Sequence, residues 1–258
     1  MAIIYFLISL FSSTIGAISG IGGGVIIKPV LDATNTLPVA TISFLSGCTV
    51  LTMSIVSLIK QRNSDVKLDI KRTTSLAVGG AIGGILGKYI FDLTKTILAE
   101  NILGGMQAAI LFVMTFSVLL FVIYKQKIKM LDVQNIIIAF IVGLALGLIS
   151  AFLGIGGGPM NIAVLYFFFS MSPKSAALNS IYVIMFSQIT SLFSSILTGS
   201  VPEFSWIVLL FMMAGGVIGA LIGSAISKKV ENSKVEFYFK MLLFVIMAIN
   251  VYNMVRFF

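Results

Sequence analysis

Histidine is missing from this 258-residue chain, and aspartate and glutamate together number nine. Without imidazole there is no Ser/His nucleophile pair, no histidine metal ligand and no histidine proton shuttle. The single cysteine, Cys48, has no partner for an intrachain disulfide and cannot build a thiolate cluster. No Gly-Lys-Ser/Thr follows a glycine run, so a nucleotide-binding P-loop is excluded. Enzymatic chemistry therefore has nothing to stand on, and neither a metal nor a cofactor is expected. Charge is scarce as well: 10% of residues are charged and 59% are hydrophobic. A soluble domain carries about 25% charged and 45–50% apolar residues. The composition is that of an integral membrane protein. The short alternating strands of an outer-membrane barrel are not seen, which leaves helices to span the bilayer.

What is present is long and apolar. Apolar stretches fall at 2–19, 24–37, 38–59, 73–91, 102–124, 133–153, 157–172, 175–200, 204–227 and 237–255. Several match the ~20 residues needed to cross a hydrocarbon core of about 30 Å. The net charge of +8 comes from cations gathered in a few short loops, the pattern of positive-inside bias rather than of nucleic-acid binding. The loops at Lys60 to Arg72, Lys125 to Lys129 and Lys228 to Lys234 are expected in the cytoplasm; the link at Glu203 is expected outside. Lys88 and Lys95, beside an outside loop, run against this bias. Met1 to Ile15 lacks a basic n-region, so the first segment is expected to be retained rather than cleaved as a signal peptide.

The chain also repeats itself. Gly20-Ile21-Gly22-Gly23-Gly24 recurs as Gly154-Ile155-Gly156-Gly157-Gly158, and Gly79-Gly80-Ala81-Ile82-Gly83 with Gly87 recurs as Gly215-Gly216-Val217-Ile218-Gly219 with Gly223. The two offsets are nearly equal, which marks a duplicated unit. An odd number of crossings must separate the loop at Lys125–Lys129 from Glu203, yet three apolar pieces lie between them. Either all three span, or the first two form a re-entrant hairpin; the second arm, at ~16 residues, is short for a full span, which favours a hairpin at 133–172 broken at its glycines. The expected fold is all-α and polytopic, with two inverted repeats, 1–130 and 131–258. Each repeat is a glycine-broken hairpin (2–37, 133–172) plus three spanning helices. Those helices are 38–59, 73–91 and 102–124 in the first repeat, and 175–200, 204–227 and 237–255 in the second. Both termini are then expected outside a cytoplasmic (inner) membrane.

A duplicated half with a broken helix points to the binding site of a secondary transporter. Gly20, Gly22, Gly23 and Gly24, with Gly154, Gly156, Gly157 and Gly158, permit a turn within the membrane. The helix that restarts after each turn, with Pro159 in its first turn in the second copy, directs N–H groups and a partial positive charge into the break. Two such starts make an anion site. The glycines at 79–87 and 215–223 instead suit close helix packing. Lys28 follows the first motif by one helical turn, where it supplies a positive field or else snorkels in a pair with Asp32. Its repeat counterpart is Ile162, next to Asn161. Polar residues follow each hairpin: Thr41, Ser43, Ser46, Thr49 and Thr52, then Ser175, Asn179, Ser180, Ser187 and Gln188. Ser46 aligns with Ser180. Of these, Lys28, Ser46, Asn161, Asn179, Ser180 and Gln188 join the glycines as expected substrate contacts. Asp32, Asp92 and Glu100 sit near segment ends, so no buried proton relay is expected. Transport is expected as facilitated diffusion, or with a proton carried on the anion itself.

With its two Gly-Ile-Gly-Gly-Gly motifs, Pro29-Val30-Leu31 after the first, and paired glycine-rich helices, the chain resembles the sulfite exporter TauE/SafE family over essentially its whole length. The resemblance implies transport of sulfite, sulfoacetate or related organic anions across the cytoplasmic membrane, with the glycine motifs on the transport path. The second copy departs by placing Pro159 directly after its glycines and Ala163 where the first has Pro29. The expected function is secondary transport, in the direction of export, of a small anion such as sulfite, another sulfur oxyanion or an organosulfonate, by alternating access. The expected partners are that anion and the lipid bilayer. Uptake of another small anion or of a neutral sulfur compound stays open, as does a non-transporting assembly or sensor subunit.

Overall fold

The computed structural model describes residues 2–34, 36–62, 66, 68–155 and 158–257. They form ten α-helices and one short 3-10 turn, with no strand among the described residues. In chain order these are α1 (Ala2–Ser19), α2 (Gly24–Thr34), α3 (Val39–Gln61), α4 (Ile70–Ile97) and α5 (Glu100–Tyr124). After the turn at Lys125–Lys127 come α6 (Ile136–Leu153), α7 (Pro159–Phe169), α8 (Pro173–Leu197), α9 (Trp206–Lys229) and α10 (Asn232–Phe257). Eight helices are long and apolar enough to cross a membrane. The exceptions, α2 and α7, have 11 residues each. At 1.5 Å per residue such arms reach about 16 Å, half of a hydrocarbon core.

Local chemistry moves several boundaries away from the apolar stretches. α4 begins at Ile70 rather than 73, because the Asp69 carboxylate caps it by accepting the Arg72 amide at 3.3 Å. It continues to Ile97 rather than 91. Lys88 is carried inside the helix by donating to Asp92 one turn on, at 2.7 Å. α8 starts at Pro173, where Ser172 accepts the Ser175 amide, and α10 starts at Asn232.

Glycine sets the helix packing. A Cβ on Gly83 would lie 2.8 Å from the Leu144 carbonyl carbon of α6, and one on Gly87 would lie 2.9 Å from that of Leu148. A Cβ on Gly215 or Gly219 would stand 2.5 Å from the Phe6 or Leu10 carbonyl oxygen of α1. In each pair the contact positions rise together along both chains, so α4 runs parallel to α6 and α9 parallel to α1. The glycine rows thus bring backbones together, as expected of small residues in a membrane bundle. α8 lies on the other side of α4, and α3 on the other side of α9. α5 packs on α10, α2 on α3 and α10, and α7 on α5 and α8. Large apolar side chains such as Ile3, Phe11, Ile137, Trp206 and Val255 point outward on the perimeter, as contact with lipid requires. Among the described residues every cation except Lys28, Lys88, Lys95 and Arg256 belongs to one end of the bundle, the end where α4, α8 and α10 begin.

Candidate functional site at the two helix breaks

Both glycine motifs interrupt helices. α1 stops at Ser19, and Gly20 and Gly22 take left-handed conformations (φ +79° and +86°) that side chains resist. The Gly23 carbonyl then accepts the amides of Ile26 (3.1 Å) and Ile27 (2.9 Å), which starts α2. In the second copy Gly154 ends α6 with φ +66°, its N–H donating to the Ala151 carbonyl at 3.1 Å. Gly156 and Gly157 lie outside the described residues. Gly158 precedes α7 and its carbonyl accepts the Asn161 amide at 3.1 Å, while Pro159 takes the first helical position.

The two breaks touch. A Cβ on Gly24 would come within 3.0 Å of the Ile155 carbonyl carbon, with the oxygen nearer still. A Cβ on Gly158 would meet Val25 at 3.3 Å. Val50 of α3 and Ile184 of α8 flank Gly22 at the same level. The starts of α2 and α7 therefore face each other in the interior, with Ile21, Val25 and Ile155 buried between them.

The fold leaves several buried polar groups unused, among them the hydroxyls of Ser43, beside Gly154, and Ser13, beside Gly23. The hydroxyls of Ser43, Ser46, Ser180 and Ser187 and the Asn161 side-chain carbonyl are buried without a hydrogen-bond partner. Thr49 and Thr52 differ: each donates to the carbonyl four residues back, at 2.9 Å, as helical hydroxyls ordinarily do. An unpaired buried polar atom costs roughly 1–3 kcal/mol, so a cluster of them argues for an exchangeable partner. A Cβ on Gly154 would sit 2.5 Å from Ser43 Oγ and 3.4 Å from Lys28 Cε. Gly154, Ser43 and Gln188 line one cavity, together with Lys88, Lys95 and Ser191. It has room for about 30 Å³, enough for a water or two.

Lys28 is 2% exposed and its Nζ donates to Asp32 Oδ2 at 2.7 Å, one turn along α2. It does not snorkel to the surface. Asp32 stands near the end of α2, yet it is itself 7% exposed, so a carboxylate is buried in a segment where the sequence promised none. Asn179 is not part of the cluster at the breaks. Its side-chain oxygen accepts the Thr73 hydroxyl and, at 3.2 Å, the Asp69 amide, while its nitrogen donates to the Ser175 carbonyl at 2.7 Å. It ties α8 to the start of α4, at the basic end.

The sequence model of the family described as Sulfite exporter TauE/SafE matches residues 5–251. The chain belongs to the sulfite exporter TauE/SafE family. This TauE/SafE protein is also 24% identical, over 279 aligned positions and 95% of each chain, to "Probable membrane transporter protein YunE" of Bacillus subtilis (strain 168). No solved structure matches it. It is thus a multi-pass membrane transporter for a small molecule.

Two residues of this TauE/SafE transporter escape a reading of sequence. Ser43 is one of seven hydroxyl residues on α3 and gains its place only because Gly154 comes to rest against it. Asp32 was legible as a partner of Lys28 by its spacing, but not as a buried group. Its burial depends on α10, where Asn253 donates to the Pro29 carbonyl at 3.0 Å and Arg256 donates to that of Ala33.

Proposed function

We propose that this protein is a secondary transporter of a small anion, a sulfur oxyanion or an organosulfonate, moved across the cytoplasmic membrane. The observation that carries this reading is the meeting of the two glycine breaks beside buried, unpartnered hydroxyls. Serine hydroxyls and helix starts can replace the hydration of an oxyanion without introducing a full charge at each contact. Substrate is held between Gly20–Gly24 and Gly154–Gly158, with Ser43, Ser46, Ser180 and Gln188 contributing donors.

An inverted relation of the halves 1–130 and 131–258 suits this reading. Parallel packing of α1 on α9 and of α6 on α4, with short links between consecutive spans, supports it. So does the basic end of the bundle, which positive-inside bias would put in the cytoplasm with both termini outside. The breaks then enter from opposite faces, and the cavity at Gly154 is the outer approach. Because that cavity holds little more than water, the hairpins must separate there for substrate to pass.

Uptake of labelled sulfite into proteoliposomes, with thiosulfate, sulfoacetate and chloride as competitors, tests the proposal against Ser43→Ala. The Ser43 hydroxyl has no partner to lose, so stability should hold. Loss of one hydrogen bond to an anion, about 1.5–3 kcal/mol, should weaken apparent affinity by roughly 10- to 100-fold. Absence of saturable flux for every anion from folded protein would refute anion transport, and unchanged affinity in the variant would remove Ser43 from the site.

A further inference from the structure

We infer that Asp32 is a proton-binding site that couples anion movement to the proton gradient, an assignment that rests on the anion-transport reading above. The Lys28–Asp32 pair is not needed to build the hairpin. At the corresponding positions of the second half stand Ile162 and Tyr166, 1% and 4% exposed, in an arm of the same length. A buried ion pair is at best weakly stabilising against apolar side chains of similar size, so construction alone does not explain it. Ionisable groups inside a membrane segment mark ion paths by default.

The geometry gives the pair two faces. Lys28 Cε borders Gly154, beside the unpartnered Ser43 hydroxyl. Asp32 gives one oxygen to Lys28, whereas its Oδ1 has no partner, and the residue lines a separate cavity of about 310 Å³. That cavity has room for several waters, which suits proton delivery. The other charged residues on its wall are Glu100 of α5 and Arg256 of α10. Glu100 is engaged by the Val39 amide at 2.6 Å, and Arg256 by the Ala33 carbonyl. α1 brings no charge, and its Tyr5 hydroxyl bonds Thr36 at 2.7 Å. α3 carries one charged residue, Lys60, in its last turn at the opposite end of the bundle.

Coupling follows from charge balance in a medium of low dielectric. Ionised Asp32 neutralises Lys28, and the empty site carries no net charge. Protonated Asp32 leaves the ammonium uncompensated next to Gly154 and Ser43, where a monovalent anion restores neutrality. The neutral forms, empty or loaded with both proton and anion, are the ones that reorient readily. A form holding only one of the two is charged and does not. Proton and anion therefore travel together, in place of the uncoupled diffusion suggested by the absence of a deep carboxylate from the apolar stretches.

The test uses labelled methanesulfonate, which carries no proton of its own, in proteoliposomes with the membrane potential clamped by potassium and valinomycin. Counterflow at equal pH should occur, and an inward proton gradient of one pH unit should drive about tenfold accumulation in the wild type. Asp32→Asn should keep counterflow and lose accumulation. Where that variant does not fold, Lys28→Ile combined with Asp32→Tyr copies the second half and should likewise lose accumulation. Counterflow without gradient-driven accumulation in the wild type would overturn the coupling, as would accumulation that survives either variant. Absence of wild-type counterflow would instead overturn the underlying anion reading, and the coupling with it.

Discussion

Gly80 and Gly83 are neighbours on α4 that should respond to the same substitution in opposite ways. A Cβ at Gly83 would sit 2.8 Å from the Leu144 carbonyl carbon, whereas at Gly80 its nearest neighbour would be Val183 Cγ1 at 3.5 Å. Carbon–oxygen contacts between helices settle at about 3.3–3.6 Å, so Gly83→Ala must push α4 and α6 apart by roughly an ångström. Overpacking of that kind costs about 1–3 kcal/mol. The same movement loosens the close approaches at Gly79 and Gly87, worth about 0.5–1 kcal/mol each. Better helix propensity returns up to about 1 kcal/mol. The balance is a loss of about 2–3 kcal/mol for Gly83→Ala. Gly80→Ala should fall between neutral and about 1 kcal/mol more stable. Cys48 is the sole thiol and is partly buried in α3, so thermal unfolding in detergent can be followed with a thiol-reactive dye. At about 2–4 °C per kcal/mol, Gly83→Ala should melt some 5–10 °C below the wild type. Gly219→Ala, facing the Leu10 carbonyl, should fall by a similar amount. Equal melting of the Gly80 and Gly83 variants would refute the claim that these rows are backbone contacts.

Two further outcomes follow from the same coordinates. In a Cys48→Ser background, a cysteine at Lys127 should stay hidden from a membrane-impermeant maleimide in intact cells, and one at Glu203 should be labelled. The reverse pattern would place the basic end outside and invert the direction assigned to the cavity at Gly154. Gln107 of α5 donates to the Phe152 carbonyl at 2.6 Å, satisfying a last-turn acceptor of α6 just before its break. Gln107→Leu should therefore cost about 1–3 kcal/mol in the same thermal assay, and an unchanged melting temperature would show that another donor replaces it.

The parts of this molecule that are legible in its sequence are those governed by glycine and by length. Three adjacent glycines cannot continue a helix comfortably, and the breaks fall at those triplets. The GxxxG rows at 79–87 and 215–223 announce close packing, although which helix they receive is decided only in three dimensions. Polar side chains were harder to sort. Ser180 and Asn179 are adjacent and equally buried, yet one hydroxyl is unpaired and the other residue's amide is committed to Thr73, Asp69 and Ser175. Helical phase separates them, and a single sequence does not fix that phase when apolar residues surround the helix on every side.

The deeper difficulty is that the repeat is a scaffold and not the whole mechanism. Duplication supplies two breaks, two short arms and two glycine rows, and these pack by the same rules in each half. Charge obeys no such rule: Lys28 and Asp32 stand in the first arm, Ile162 and Tyr166 in the second. In a soluble protein that asymmetry would pass as ordinary variation. Within a membrane, where each uncompensated charge is expensive, a pair kept in one arm and absent from its equivalent separates what the fold requires from what transport requires. The second half thus acts as an internal control on the first. Its arm has the same length and carries no charged side chain of its own, although Lys125 stands over the Tyr166 ring at 4.8 Å, and this supports assigning the Lys28–Asp32 pair to transport rather than to construction.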